Sequence, residues 1–229
     1  MTPSKKDQMF EEPENRTKVK ICGITTLEDA RFAAGALADY LGFIFFPDSP
    51  RYVEPAKAGA IINWLEGLEK VGVFVNQPLD DVNSIAKRTG IDIVQLHGNE
   101  SPEYCGMVEF PVIKVFHVTD QTTAEELHQK TNLYAQSADY YLFDSKTDSL
   151  WGGTGRTFDW SLLKGFSNDK PFFLSGGLNA DNVKEAIKKV NPNVVDVSSS
   201  LEQSPGLKDF DKLDQFFDVM RDIWEAQEL

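Results

Sequence analysis

Short apolar runs rich in β-branched and aromatic residues recur from Val19 onward, each followed by a longer stretch whose apolar positions repeat with a helical period. The runs are VKIC (19–22), YLGFIF (40–45), KVGVFV (70–75), IDIVQL (91–96), PVIKVF (111–116), YYLFD (140–144), PFFLS (171–175) and NVVDVS (193–198). The intervening helix candidates are TLEDARFAAGALA, PAKAGAIINWLEGL, LDDVNSIAKRTG, SPEYCGMV, TAEELHQKTNLYAQ, DWSLLKGF, NADNVKEAIKKV and, after the last run, LKDFDKLDQFFDVMRDIWEA. Successive runs start about 25 residues apart on average, which leaves room for one helix and two short loops and is too wide for a meander or a sandwich. Asn179 before ADNV, Asp159 before WSLL and the Ser101-Pro102 pair are placed to cap the N-termini of their helices.

Eight βα units with right-handed crossovers close most simply into an α/β fold of the (β/α)8 TIM-barrel type, a single domain over residues 17–229. A doubly wound sheet uses the same units and is the alternative. Residues 1–16 are polar, mixed in charge and without an apolar face, and read as a flexible tail. The two long connections, PDSPRYV after the second strand and SKTDSLWGGTGRTF after the sixth, leave the C-terminal ends of strands, the face on which barrel enzymes build their sites.

Alternation along a strand locates the candidate chemistry. Val19 and Ile21 share one face of the first strand and Lys20 and Cys22 the other, so the lysine points into the barrel and the thiol stands at its mouth. A nearby ammonium favours thiolate over thiol, which would make Cys22 a base or nucleophile, while an inert buried cysteine is the plain alternative. Asp144, which follows Phe143 at the end of strand six, and Asp196, between Val195 and Val197 on strand eight, are candidate counter-charges for Lys20. If burial raises its pKa, Asp144 becomes a general acid; otherwise both carboxylates only neutralise the lysine. Arg51 in SPRY could fork onto a carboxylate, and His97 in VQLHG ends the fourth strand. His117 and His128 have weaker cases, and the three histidines lack metal-ligand spacing.

Composition narrows the ligand. The chain has 229 residues and a formal net charge of −13, which disfavours nucleic acid and anionic membranes as partners but not a small anion held by local donors. Two cysteines cannot build a disulfide scaffold, and neither a signal segment nor a run of about 18 apolar residues is present, so a cytoplasmic location is expected. Three glycine- and serine-rich turns follow strands of one barrel half: WGGTGR with Thr154 and Gly155, SGGLN with Gly176 and Gly177, and DVSSSLEQSPG with Ser198, Ser199 and Ser200. Backbone N–H groups of such turns bind an oxyanion without basic side chains, and the loops after barrel strands seven and eight are the usual phosphate site. A phosphorylated small molecule is the expected ligand.

These residues resemble a known family. KICGIT, GFIFFPDSPR, VGVFVN, VQLHG, FDS followed by GGTGRTFDW, SGGLN, DVSSSLE and PGLKD, in order from about Lys18 to Asp209, are similar to the phosphoribosylanthranilate isomerases of tryptophan biosynthesis. The resemblance implies an Amadori rearrangement of N-(5-phosphoribosyl)anthranilate to 1-(2-carboxyphenylamino)-1-deoxyribulose 5-phosphate, without metal or organic cofactor. It implies Cys22 as the general base at C2 and Asp144 as the general acid on the ring oxygen. Arg51 would meet the anthranilate carboxylate, with His97 and Asp196 as further substrate contacts and the glycine and serine turns as the phosphate cradle. Ser200 departs from the family's usual glycine, and a side chain there would restrict positive φ and crowd the phosphate, with a hydroxyl donor as compensation. The HVTD segment after strand five has no role assigned by the resemblance. A monomer is expected, with a homodimer as the alternative. Competing readings are another phosphosugar barrel such as indole-glycerol-phosphate synthase or the isomerase of histidine biosynthesis, which uses paired aspartates, a non-catalytic phosphate-ligand sensor, and a structural component of a multi-enzyme complex.

Overall fold

Lys20 of the first strand lies in register with Tyr40 of the second and Asp196 of the eighth, so the sheet joins its own ends in a closed parallel barrel. This computed structural model describes residues 16–145, 158–164, 166 and 170–227. The barrel strands are β1 (Lys18–Cys22), β2 (Tyr40–Ile44), β3 (Glu69–Phe74), β4 (Ile93–Leu96), β5 (Val112–Val118), β6 (Tyr140–Ser145), β7 (Phe172–Leu174) and β8 (Val194–Val197). All eight coincide with the runs read from the sequence, and the boundaries differ by no more than two residues.

The helices are α1 (Leu27–Gly35), α2 (Pro55–Ile62), α3 (Leu79–Thr89), α4 (Pro102–Cys105), α5 (Ala124–Leu133), α6 (Val183–Val190) and α7 (Phe210–Gln227). Three sequence expectations change here. The DWSLLKGF segment forms a single 3-10 turn, Trp160–Leu163, although Asp159 caps it as expected by accepting from the Ser161 N–H. The cap of α6 is Asn182, and Asn179 instead organises the preceding turn, its Oδ1 accepting from Asp181 N. The start of LKDF is not helical: Glu202–Ser204 (β9) and Leu207–Lys208 (β10) pair as a small antiparallel hairpin between β8 and α7. Ser101 caps α4 through the Tyr104 N–H.

Two apolar layers result from strand alternation. Val19, Ile21, Phe43, Val94, Phe143 and Val195 face the helices in the larger core, whereas Tyr40, Val71, Ile113, Leu142, Phe173 and Val194 fill the barrel interior. That interior plug stops short of the C-terminal strand ends, where the inward positions turn polar. Both ends of the described chain meet at β1: the Trp224 indole of α7 donates to the Thr17 carbonyl at 2.8 Å, and Arg16 forks onto Asp39 while stacking 4.3 Å over Trp224. No helix among the described residues is long and apolar enough to cross a membrane.

Candidate active site

A pocket opens at the C-terminal ends of the strands. Its floor carries Cys22, Gln95, His97, Asp144 and Asp196, one wall is apolar (Ile44, Phe46, Val73, Val75) with Arg51 beside it, and the opposite wall is Gly176-Gly177 and Ser198–Ser200. The residues singled out on β1, β2, β4, β6, β7 and β8 therefore line one chamber. Cys22 and Cys105 are both free thiols, in keeping with the expected absence of a disulfide framework.

Strand register explains the charge pattern. Lys20 and Asp196 are direct neighbours across the β1–β8 seam, and Lys20 Nζ donates to Asp196 Oδ1 at 2.9 Å, both groups buried. Burial disfavours the Lys20 ammonium, but Asp196 and Cys22 more than offset this and hold its pKa above the ordinary value. Among the described residues Asp144 makes no ion pair with a lysine or arginine. Burial and the charge of Asp196 push its carboxyl up to about 7, against weaker lowering by the Ser145 backbone, Lys20 and Ser175. The two carboxylates thus divide: one neutralises the lysine, and the other keeps its proton near neutral pH.

Cys22 departs from the sequence expectation. Lys20 does favour its thiolate, as does Lys208, yet burial outweighs them and, with Asp196, leaves the thiol pKa raised. Space for the sulfur comes from Gly42, its register partner on β2, where an added Cβ would stand 2.7 Å from Sγ.

His97 Nε2 lies 3.6 Å from Asp144 Oδ2, and Gln95 Nε2 faces His97 Nδ1 at 3.2 Å. Burial holds the His97 pKa well below its usual value, so the ring is neutral and the contact with Asp144 is not an ion pair. His117 sits in register with Asp144 on β5, its Nε2 3.1 Å from the His97 carbonyl. His97, His117 and Asp144 each bring a donor atom within 4.8 Å of the others, the one such grouping among the described residues able to converge on a cation. The linear spacing of the histidines conceals it, because the register and not a motif assembles it.

On the opposite wall, Gly176 and Gly177 have φ of +92° and +69°, and a Cβ on Gly176 would fall 2.4 Å from Ser145 Oγ, so only glycine fits this turn. Ser200 lies in a 3-10 turn, Ser199–Leu201, and is not among the residues with positive φ. The expected backbone restriction is therefore absent. Its hydroxyl donates to the Leu178 carbonyl at 2.5 Å and ties the loop after β8 to the loop after β7, while Ser200 still lines the chamber.

Arg51 does fork onto a carboxylate, but onto one of the protein's own: Nε and Nη2 donate to Glu202 at 2.8 to 3.1 Å. Among the described residues Nη1 has no hydrogen-bond partner.

A family model described as N-(5'phosphoribosyl)anthranilate (PRA) isomerase matches residues 19–219. The chain belongs to the phosphoribosylanthranilate isomerase family. An N-(5'-phosphoribosyl)anthranilate isomerase of Citrifermentans bemidjiense is 50% identical over 218 residues, covering 93% of this chain and 98% of that one. The crystal structure of the Thermotoga maritima phosphoribosyl anthranilate isomerase superposes with a TM-score of 0.81 at 38% identity, over 90% of this chain and 99% of that one. A phosphoribosyl anthranilate isomerase in complex with reduced 1-(o-carboxyphenylamino)-1-deoxyribulose 5-phosphate matches at 37% identity with a TM-score of 0.79, again over 90% and 99%.

Thr154 and Gly155 fall outside the described residues. Four residues around the chamber escape the sequence reading: Gln95, Ser175, Glu202 and Lys208. Gln95 and Ser175 were legible as inward positions next to His97 and Gly176. Glu202 and Lys208 were not, because their importance comes from a hairpin whose sequence, EQSPGLK, resembles an ordinary loop running into a helix.

Proposed function

We propose that Cys22 and Asp144 share the proton transfers of the family's isomerisation, the Amadori rearrangement of N-(5-phosphoribosyl)anthranilate in tryptophan biosynthesis. The observation that carries the reading is their placement: both end inward strand positions over one chamber, with Asp144 holding a proton up to about pH 7. Asp144 gives that proton to the furanose ring oxygen as the C1–O bond breaks, which leaves an iminium between C1 and the aniline nitrogen. The iminium acidifies the C2 hydrogen, and its positive charge beside Cys22 offsets the burial that raises the thiol, so a thiolate can take the C2 proton. The enolamine then tautomerises to the aminoketose.

Binding follows the same geometry. The substrate phosphate lies against the backbone of Gly176-Gly177 and the turn beginning at Ser198, whose first N–H groups have no partner inside the turn. The aryl ring takes the wall of Ile44, Phe46, Val73 and Val75, and its carboxylate takes Arg51 Nη1. His97 and Asp196 border the ribosyl portion between them. Support for a phosphorylated small-molecule ligand also comes from the related isomerase in complex with reduced 1-(o-carboxyphenylamino)-1-deoxyribulose 5-phosphate.

The test is loss of anthranilate fluorescence when the substrate is formed in place from anthranilate and phosphoribosyl pyrophosphate by a phosphoribosyltransferase. Rapid loss with the wild-type chain, reduced at least about 100-fold in Cys22→Ser and in Asp144→Asn at similar product affinity, is the expected result. Near-normal turnover by Cys22→Ser removes the thiol from the mechanism, and ligand binding without turnover in the wild type favours a sensor.

A further inference from the structure

Behind the pocket wall, on β10, lies a lysine whose side chain is fully buried. Lys208 Nζ donates to the Cys22 carbonyl at 2.7 Å, to the Ser198 carbonyl at 3.2 Å and to Glu202 Oε1 at 3.1 Å. Three acceptors match the three N–H donors of an ammonium, whereas a neutral amine has only two. Glu202, the carboxylate it holds, is the one that clamps Arg51. The Cys22 carbonyl also accepts from Ser198 Oγ at 3.0 Å, so the ends of β1 and β8 are joined twice at the same atom.

We propose that Lys208 is a positioning residue of the reaction: one buried ammonium fixes the strand end that carries the Cys22 thiol, the phosphate-side loop that begins at Ser198 and, through Glu202, the arginine that meets the substrate carboxylate. This rests on the isomerase reading above. Lys208 does not line the chamber and touches no substrate, so it acts only through these three groups. Stability alone does not account for an ammonium at this position. A buried ion pair replaced whole, both partners together, by apolar residues of similar volume is often neutral or stabilising, so the Lys208–Glu202 pair is not required for stability as such. Charge adds a second consequence. One carboxylate, Glu202, stands between two cations, Arg51 and Lys208, and the excess positive charge beside the chamber suits an anionic substrate. The ammonium, 2.7 Å from the Cys22 carbonyl, also favours the Cys22 thiolate.

The experiment compares Lys208→Met with wild type by the rate of iodoacetamide alkylation at Cys22, resolved by peptide mass over about pH 6 to 10, and by kcat and KM on phosphoribosylanthranilate. Cys105, buried elsewhere and pushed up to about 11, is the internal reference. The proposal expects the Cys22 alkylation midpoint to rise, its rate near neutral pH to fall about tenfold, kcat to fall and KM to rise, with Cys105 unchanged. A folded Lys208→Met whose Cys22 profile, kcat and KM all equal wild type, with only a lower melting temperature, reduces Lys208 to a structural strut and overturns the proposal. If Lys208→Met does not fold, Glu202→Gln decides: a raised KM supports the chain of contacts to Arg51, and an unchanged KM overturns it. A wild-type chain that forms no product refutes the isomerase reading, and the alkylation profile then decides the positioning role by itself.

Discussion

Lys20 Nζ and Asp196 Oδ1 are 2.9 Å apart on adjacent strands, sealed between the apolar interior of the barrel and the floor of the reaction chamber. Such a pair is costly to break from one side, because the survivor remains charged without a partner.

Lys20→Met should lower the unfolding free energy by about 3 to 5 kcal/mol, read by urea denaturation. Lys20→Met/Asp196→Asn should recover a large part of that loss. The single variant should also raise the alkylation midpoint of Cys22, since Lys20 is the main group that opposes burial there. An unchanged midpoint would mean that the thiol does not sense the ammonium.

Asp144 should weaken the fold at neutral pH. Its carboxyl is raised from 3.8 to about 7, so between these values the native state holds a proton that the unfolded chain has lost. Stability from this group is complete below about 3.8 and falls as pH rises toward 7, up to about 4 kcal/mol in all. Asp144→Asn should therefore raise the melting temperature at pH 7.5 more than at pH 4, while cutting turnover at least about 100-fold. Equal shifts at both pH values would show that the carboxyl is not raised in the folded state.

The pH profile of kcat/KM should have its acidic limb near 7 and its alkaline limb above the ordinary thiol range. The active form pairs protonated Asp144 with ionised Cys22, although the acid is the stronger of the two, so the break near 7 belongs to Asp144 and the alkaline break to Cys22. The residual rate of Asp144→Asn should climb through pH 7 without a break. A break that persists there assigns it to another group.

Ser200→Ala removes the hydroxyl that ties the two phosphate-side loops through Leu178. KM should rise by a few-fold to about tenfold, in keeping with about 1 kcal/mol for one hydrogen bond, while kcat stays close to wild type. A lower KM would show that the side chain crowds the phosphate instead.

What the sequence revealed was set by local rules. The eight strands were legible because alternation and spacing depend on near neighbours, and the inward positions of Lys20, Cys22, Asp144 and Asp196 follow from the same alternation. The pairing of Lys20 with Asp196, and not with Asp144, was not legible, because register across the β1–β8 seam decides it. The net direction of the Cys22 shift was hidden for a related reason: a neighbouring ammonium is visible in a sequence, whereas the depth of burial that outweighs it is not. Lys208 was placed on a helix because LKDF continues the helical pattern of the segment behind it, and only the pairing with Glu202–Ser204 turns it inward.

The seam between β1 and β8 also bears on how the chain acquires its function during synthesis. Cys22 and Lys20 emerge from the ribosome well before Asp196, Ser198 and Lys208, with contacts spanning 176 to 186 positions. A nascent chain carries a lysine and a thiol through all of that intervening synthesis before their partners exist, and contacts of such range form late. The chamber is thus a record of completed folding: a chain interrupted before β10 can hold every barrel strand and still lack the ammonium that bridges the Cys22 and Ser198 carbonyls.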